Sequence, residues 1–568
     1  MNSKISFFNK GLFLSNIKRF LWAGILETLV MFLCFPFNLM IKTPRASWAE
    51  NFADILERYS EYPLLANLTI CVYAVVLAVL LFSYLHKPKM TTALHGLPVS
   101  RTTLFISTAL SGIVLLIAPV LINLLLIILI KYTMGIGTWI VMSSVLRWAV
   151  YAICLSLVLF AFATFIGMFT GNPATHLIFT YIVHFLPLAF FAGFMVMCEM
   201  FLLGFDPAFN IPKWIMDLPM MTVALDFTEP CTHYIILNLI LTAIFFVLGI
   251  LVYKKRPLEN AGDIVVFTWV KPVFKYGVSL CFSVAGFLYT AAISNMDTNS
   301  GMLTPTLLGM LWGAIGFCIA QMLILKTWRI FGAYKEFFGV LAVIAVIFAG
   351  FQSDITGFEK RLVAPLDVSQ VSVNGFYNFP QSQITFTDAN AIEIVTRLHE
   401  GAIKNNGKFN ENDYNVHMGL EYVLKNGKKI KRVYQVKSEP LLMELYNHPE
   451  AKLGGYPMLY DDVERIVSIS TYNGGKQLYI NEKDILLDAL RKDIEAMKIS
   501  PWWTEYTYPP QADMATKAEN TSIYLEFEMM PEGSAKTDLR TPYRNYYNIR
   551  VLEDEMPNAF ALLSEILK

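Results

Sequence analysis

The chain has 568 residues, 55 % of them hydrophobic, with mean hydropathy +0.48 and 45 Lys+Arg balanced against 45 Asp+Glu. Hydropathy this high exceeds that of a soluble globule and places the chain in a lipid bilayer, while its overall neutrality argues against a nucleic-acid partner. Charges are sparse up to about Gln352 and dense after it. The expected fold is therefore a polytopic all-α membrane domain of about nine transmembrane helices, followed by an α+β soluble domain.

Residues 1–19 mix Phe7, Phe8, Leu12, Leu14 and Ile17 with Lys4, Lys10, Lys18 and Arg19. That pattern predicts an amphipathic segment on the cytoplasmic leaflet; the charged region is too long, and no small-residue cleavage site follows, for a signal peptide. Runs long enough to cross ~30 Å of hydrocarbon fall at 20–41, 64–85, 104–130, 145–170, 176–204, 234–253, 272–294, 303–325 and 336–352. Basic residues gather on alternate connections, at Lys10, Lys18 and Arg19, at Lys87, Lys89 and Arg101, at Lys254, Lys255 and Arg256, and at Lys326, Arg329 and Lys335. By the positive-inside rule these connections are cytoplasmic, which puts the amino terminus inside a cell membrane and the soluble domain outside. If 336–352 does not cross, the domain moves to the cytosol. Pro36, Pro119 and Pro187 are expected to bend their helices. Glu27 and Glu199 are carboxylates inside apolar runs, where an ionisable group is either a functional site or held by neighbouring polar groups; Glu199 lies close enough to the outer end to be solvated.

The stretch His86–Phe105, HKPKMTTALHGLPVSRTTLF, is polar and basic between two long apolar runs. Leu94, Leu97, Leu104 and Phe105 are spaced for one face of a short helix, Lys87, Lys89 and Arg101 flank it, and Gly96 and Pro98 punctuate it. As residues alone, these also fit a plain cytoplasmic loop in which Pro98 and Ser100 start the next helix. The segment LHGLPVSRTTLF resembles the stretch between the second and third transmembrane helices of type-2 ABC exporter permeases. The resemblance implies a coupling helix that docks into a partner ATPase, with Lys87, Lys89, Leu94, Gly96, Leu97, Pro98 and Arg101 forming the ATPase-coupling loop.

The same resemblance extends to the six spans of 20–253 as an exporter-type membrane domain and to 205–233 as the place of short re-entrant helices. KKRPLENAGDIVVF, residues 254–267, is similar to the basic segment of a Gram-positive subgroup with extra helices and an extracytoplasmic domain. It thus implies two ABC ATPase subunits and a second permease subunit, identical or homologous. The three further spans within 254–352 and the domain 353–568 have no role in the minimal family fold. An amphipathic, lipid-like or antimicrobial substrate is implied by analogy only.

After Gln352 the pattern becomes that of strands and helices. Leu420, Tyr422 and Leu424 alternate, Asn426-Gly427 predicts a two-residue type I′ turn, and Ile430, Tyr434 and Val436 alternate on the return. Ser438 opens a helix through Tyr446. Similar hairpin-then-helix units are expected at 464–494 and from 521 to the helix at Pro557, with a further one at 368–404, giving helices on antiparallel sheet. Lys425, Lys428, Lys429, Lys431 and Arg432 form a basic cluster that would bind anionic groups or simply be solvated. Trp502, Trp503, Tyr506 and Tyr508 form an aromatic stretch suited to packing or to a ligand.

No GxxxxGK[ST], HExxH or GxSxG occurs. The chain is expected to bind no ATP, cofactor or metal and to carry no catalytic residue, with ATP hydrolysis in a separate subunit. His176 and His184 share a span without an acidic partner at ligand spacing, and the 7 cysteines, all at or before Cys318, read as packing residues. Two functions remain open: the permease subunit of an ATP-driven exporter, or a membrane-anchored sensor or assembly factor whose outer domain binds a ligand.

Overall fold

A computed structural model describes residues 7–41, 63–133, 142–206, 211–224, 232–293, 303–376, 382–404, 415–437, 440–456, 463–471, 474–476, 483–496, 522–529, 545–552 and 556–567. The chain divides into two compact units, one comprising 1–194, 209–294 and 303–346, the other 195–208, 295–302 and 347–568.

In the first unit, α1 (Lys10–Cys34) is unbroken, so the amphipathic segment is, from Lys10 onward, the start of the first long helix. Asn9 caps it, its side-chain oxygen accepting from Leu12 N at 3.1 Å. Phe35 ends α1, and Pro36, which cannot donate to the preceding turn, begins α2 (Pro36–Ile41). There follow α3 (Leu64–Leu81), α4 (Pro88–His95), α5 (Arg101–Thr133), α6 (Met142–Gly167) and α7 (Pro173–Phe201). Short α8 (Lys213–Met216) and α9 (Pro219–Ala224) precede α10 (Thr232–Lys255), α11 (Val270–Ile293), α12 (Leu303–Leu325) and α13 (Tyr334–Gln352). The short pair occupies the stretch expected to hold re-entrant helices. Pro119 and Pro187 sit inside α5 and α7, which continue past them.

Among the described residues nine helices are long and apolar enough to cross a membrane: α1 with α2, then α3, α5, α6, α7, α10, α11, α12 and α13. They form the helical layout of a multi-pass membrane protein. Their surfaces suit an apolar solvent: α1 buries Phe20, Ala23, Gly24, Glu27 and Met31 along one face and exposes Leu21, Trp22, Ile25 and Leu29. The central element is α6, with 72 % of its most apolar stretch buried against 56 % or less for the others. Trp148 on α6 meets the Phe35 ring edge-on at 4.8 Å and donates to Asn67 Oδ1 at 3.0 Å. The α11–α12 hairpin packs through glycines, with Gly286 beneath Trp312 and Gly313 accepting from Ser279 Oγ at 2.7 Å.

Among its described residues the second unit holds two four-stranded antiparallel sheets. One is built from β1 (Val368–Asn374), β2 (Gln383–Phe386), β3 (Asn415–Leu424) and β4 (Lys429–Lys437), in the order β2-β1-β3-β4. The other uses β5 (Val463–Thr471), β6 (Gly474–Lys476), β7 (Ser522–Met529) and β8 (Asn545–Leu552), in the order β6-β5-β7-β8. The helices repeat in the same places. In the first half α14 (Ala389–Lys404) joins the hairpins and α15 (Pro440–Tyr446) with α16 (Pro449–Gly455) follows; in the second, α17 (Lys483–Ala496) joins and α18 (Pro557–Leu567) follows. The hairpin-then-helix units expected from the sequence thus pair up into two copies of one ββαββα topology sharing a core that includes Val371, Tyr422, Leu490 and Leu563.

The β3–β4 turn differs from expectation. Tyr422 pairs with Ile430 and Val423 with Lys429, and Leu424 N donates to Lys428 O at 2.9 Å, leaving the three-residue loop Lys425-Asn426-Gly427. Only Gly427 has positive φ, +80°, whereas type I′ demands it at both central positions. The physical reason is parity. Inward residues on both strands are even-numbered (Leu420, Tyr422, Tyr434, Val436), and a two-residue loop would set odd opposite even. The aromatic stretch Trp502–Tyr508 and the cap Ser438 lie outside the described residues.

Candidate functional site

The polar stretch between α3 and α5 is not one helix. Ser83–His86 makes a 3₁₀ turn, Pro88 opens α4 at a position where its missing N–H costs nothing, and α4 ends at His95, two residues short of Leu97. Gly96 N bonds Thr92 O at 3.0 Å, and Leu97-Pro98-Val99-Ser100 turns the chain into α5, whose first residue is Arg101. Leu94 is half-buried against the helical core, and Leu104 and Phe105 are buried within α5 rather than on the face of α4. Lys87, Lys89, Gly96, Leu97 and Pro98 are exposed. The seven expected coupling residues therefore separate into an outward group of five and the inward-facing Leu94 and Arg101.

Arg101 reaches the end of α10. Its Nη1 lies 3.2, 3.1 and 2.9 Å from the carbonyl oxygens of Tyr253 and Lys254, in the last turn of α10, and of Arg256, just past it. A second tie runs through His95. Its Nδ1 is 2.8 Å from Thr91 O, which can only accept, so Nδ1 carries the proton and Nε2 accepts from Tyr253 Oη at 2.8 Å. Tyr84 Oη donates to Tyr253 Oη at 3.4 Å, and the Thr91 hydroxyl donates to Tyr84 O at 2.7 Å. Burial lowers the His95 pKa and, with the neighbouring Tyr253, holds the Tyr84 hydroxyl well above the ordinary phenol value.

Arg256 is the centre of the arrangement. It is 2 % exposed, and no carboxylate meets it. Its Nη1 donates to Gly167 O at 2.9 Å and Met168 O at 2.6 Å, and its Nη2 to Thr170 O at 2.8 Å and Leu85 O at 3.1 Å. One guanidinium thus joins the α3–α4 turn to the α6–α7 turn. Burial lowers its pKa to about 10, which leaves it cationic at neutral pH. His86, buried beside it with its ring 5.3 Å from that of His176, is pushed down to about 2 by burial first and then by His176 and Arg256. It is neutral.

The residues after Arg256 fold back as a strap. Val266 N donates to Phe169 O at 2.9 Å, Thr170 bridges Val265, and Gly262 N, at φ +96°, donates to Gly171 O at 2.7 Å. A Cβ on Gly171 would lie 2.5 Å from Asp263 O and 2.6 Å from Asn260 O, so this approach requires glycine. Lys326 Nζ pairs with Asp263 at 2.7 Å. The expected basic segment 254–267 is therefore a packed part of the platform, with Lys254 and Lys255 exposed and Arg256 alone turned inward.

Elsewhere in the helices Glu27 is 6 % exposed, its carboxyl facing Thr69 and its Oε1 without a hydrogen-bond partner, whereas Glu199 is exposed. His176 Nε2 lies 2.7 Å from Ala163 O, and His184 Nε2 accepts from Met220 N at 3.0 Å, so both have backbone partners. In the second unit Lys429 and Lys431 pair with Glu421 at 3.1 and 3.3 Å. Arg432 points inward, 4 % exposed, 3.7 Å over the Phe358 ring, which removes it from the expected basic cluster. Beside it His399 lies between Tyr422 Oη at 3.2 Å and Tyr434 Oη at 2.9 Å, and burial followed by Arg432 lowers its pKa to about 4.

Sequence reasoning missed Arg256, Tyr253, Tyr84, Thr91 and His95. The signal for Arg256 was its type, an arginine after two lysines at the end of a long apolar run. Comparison with known proteins adds one finding: residues 422–555, under a quarter of the chain, match a family described as a domain of unknown function (DUF6449). The match starts within β3 and ends just past β8, so it takes in the second ββαββα copy and part of the first. No curated protein and no solved structure matches the chain.

Proposed function

We propose that this chain is the membrane-spanning permease subunit of an ATP-driven ABC exporter in the cell membrane, working with separate ATPase subunits and a second permease subunit. The observation that carries this reading is the α4 segment: Lys89 on the short helix and Lys87, Leu97 and Pro98 flanking it are exposed, while His95 is bonded to Tyr253 at the end of α10 and the turn before α4 is tied through Arg256 to the end of α6. A partner that moves α4 would move the helices, as a coupling element must. The alternation of basic connections supports a cytoplasmic position for this face and an extracytoplasmic one for the domain 353–568. A sensing role for the outer domain is compatible with transport and separable from it by the neighbouring genes: a Walker-motif ATPase goes with export, a histidine kinase with sensing.

The test is affinity purification of the tagged chain in mild detergent. A stoichiometric ATPase is expected with the wild type. Leu97, 40 % exposed, changed to Asp should lower its recovery about tenfold at an unchanged melting temperature, since a charge in an apolar docking contact costs ~1–3 kcal/mol without touching the fold. A wild-type protein that emerges without ATPase from several detergents moves the assignment to the sensor.

A further inference from the structure

We infer that Arg256 is a positioning residue that makes the α4 segment, the α6–α7 turn and the strap into one plate, so that these three move and open together and displacement of α4 is delivered to α6 and α7. Three observations meet here. First, the four acceptors of Arg256 lie on segments far apart in sequence, Leu85 on one side and Gly167, Met168 and Thr170 on the other. Second, the strap that carries Arg256 is itself bonded to the α6–α7 turn at Phe169, Thr170 and Gly171. Third, the acceptors are all backbone carbonyls, so the tie fixes main-chain geometry and survives changes of neighbouring side chains. The planar fork is what the site uses. A lysine ammonium keeps the charge but offers three donors from one point and cannot span oxygens on two sides.

Arg101 ties the same strap differently. Its acceptors are the carbonyls of Tyr253 and Lys254 at the end of α10 and of Arg256 just past it, so it fixes where the strap begins without touching the α6–α7 turn. The two arginines are thus separable by experiment.

Hydrogen exchange of the full chain in detergent tests the plate without any partner. In the wild type the amides of Thr91, Met168, Gly262 and Val266 should exchange through one opening, with a common free energy and denaturant dependence. In R256K all three segments should exchange about tenfold faster or more, with the α11–α12 hairpin unchanged, while R101K should speed exchange only at the end of α10. Independent openings in the wild type, or an R256K effect confined to the strap, overturn the inference. Should R256K not purify, the wild-type denaturant series still decides.

A second arm rests on the exporter reading. In the complex with its ATPase, nucleotide should alter exchange in α4 and in 167–172 together in the wild type, but in α4 alone in R256K with ATPase still bound. A merely structural role would not move that ratio. Absence of an ATPase from the wild-type preparation defeats the exporter reading and leaves the partner-free arm to stand or fall by itself.

Discussion

Among the described residues two arginines are buried, one in each unit, and they are held in opposite ways. Arg256 in the helical unit is saturated by four main-chain oxygens from two distant turns. Arg432 in the α+β unit lies over the Phe358 ring, donates to Lys431 O at 2.9 Å and, at 3.4 Å, to Phe358 O, and leaves its Nε unpaired. The first ties two turns through four main-chain bonds, whereas the second rests on one ring and reaches its distant segment through a single long bond. Around both, the adjacent lysines stay outside: Lys254 and Lys255 beside Arg256, Lys431 beside Arg432. A compact, strongly hydrated ammonium resists burial, whereas a delocalised guanidinium tolerates it and can use flat or divided acceptors.

The contrast is sharpest under one substitution made twice. Arg256→Met should remove the charge yet strand carbonyls at buried positions, where each unmet acceptor costs ~1–3 kcal/mol. The expected loss is about 3–5 kcal/mol, read as a lower melting temperature in detergent and as a broadened size-exclusion profile. An Arg256→Met protein as stable as the wild type would show that the four bonds fix nothing.

A smaller effect belongs to the aromatic pocket beside Arg432. His399, ordinarily near 6.5, sits near 4 because it is buried and faces a guanidinium. The unfolded chain therefore binds the proton first, so stability is full above about pH 6.5 and falls as pH drops toward 4. The total is on the order of 3 kcal/mol at 1.36 kcal/mol for each pH unit. Proteolysis of the C-terminal unit in the intact protein should accelerate over that window and should lose this pH dependence in His399→Gln. An unchanged profile in the variant would assign the acid sensitivity elsewhere.

The smallest effect completes the comparison. Arg432→Met keeps the length and the packing over Phe358 while discarding a desolvated charge with an unpaired Nε, so stability should change by less than about 1 kcal/mol in either direction. A loss equal to that of Arg256→Met would mean that both arginines are ties.

The sequence by itself determined where the long helices and most strands lie. An apolar run of twenty residues has few ways to satisfy its backbone other than helix, and strict alternation in β3 and β4 admits only a half-buried strand. It also held, unread, the parity argument against a two-residue turn: Tyr422 and Tyr434 cannot share a face unless the loop is odd. Arg101 and Arg256 were not legible in the sequence as inward-facing residues. Each is one basic residue in a basic cluster, and nothing within a few positions distinguishes a charge that faces water from one that closes on carbonyls 86 to 171 residues away. Tertiary structure alone decided that, by bringing the end of α6 against the turn before α4, where main-chain oxygens of two distant turns meet one donor that reaches both, and by setting the end of α10 beside Arg101.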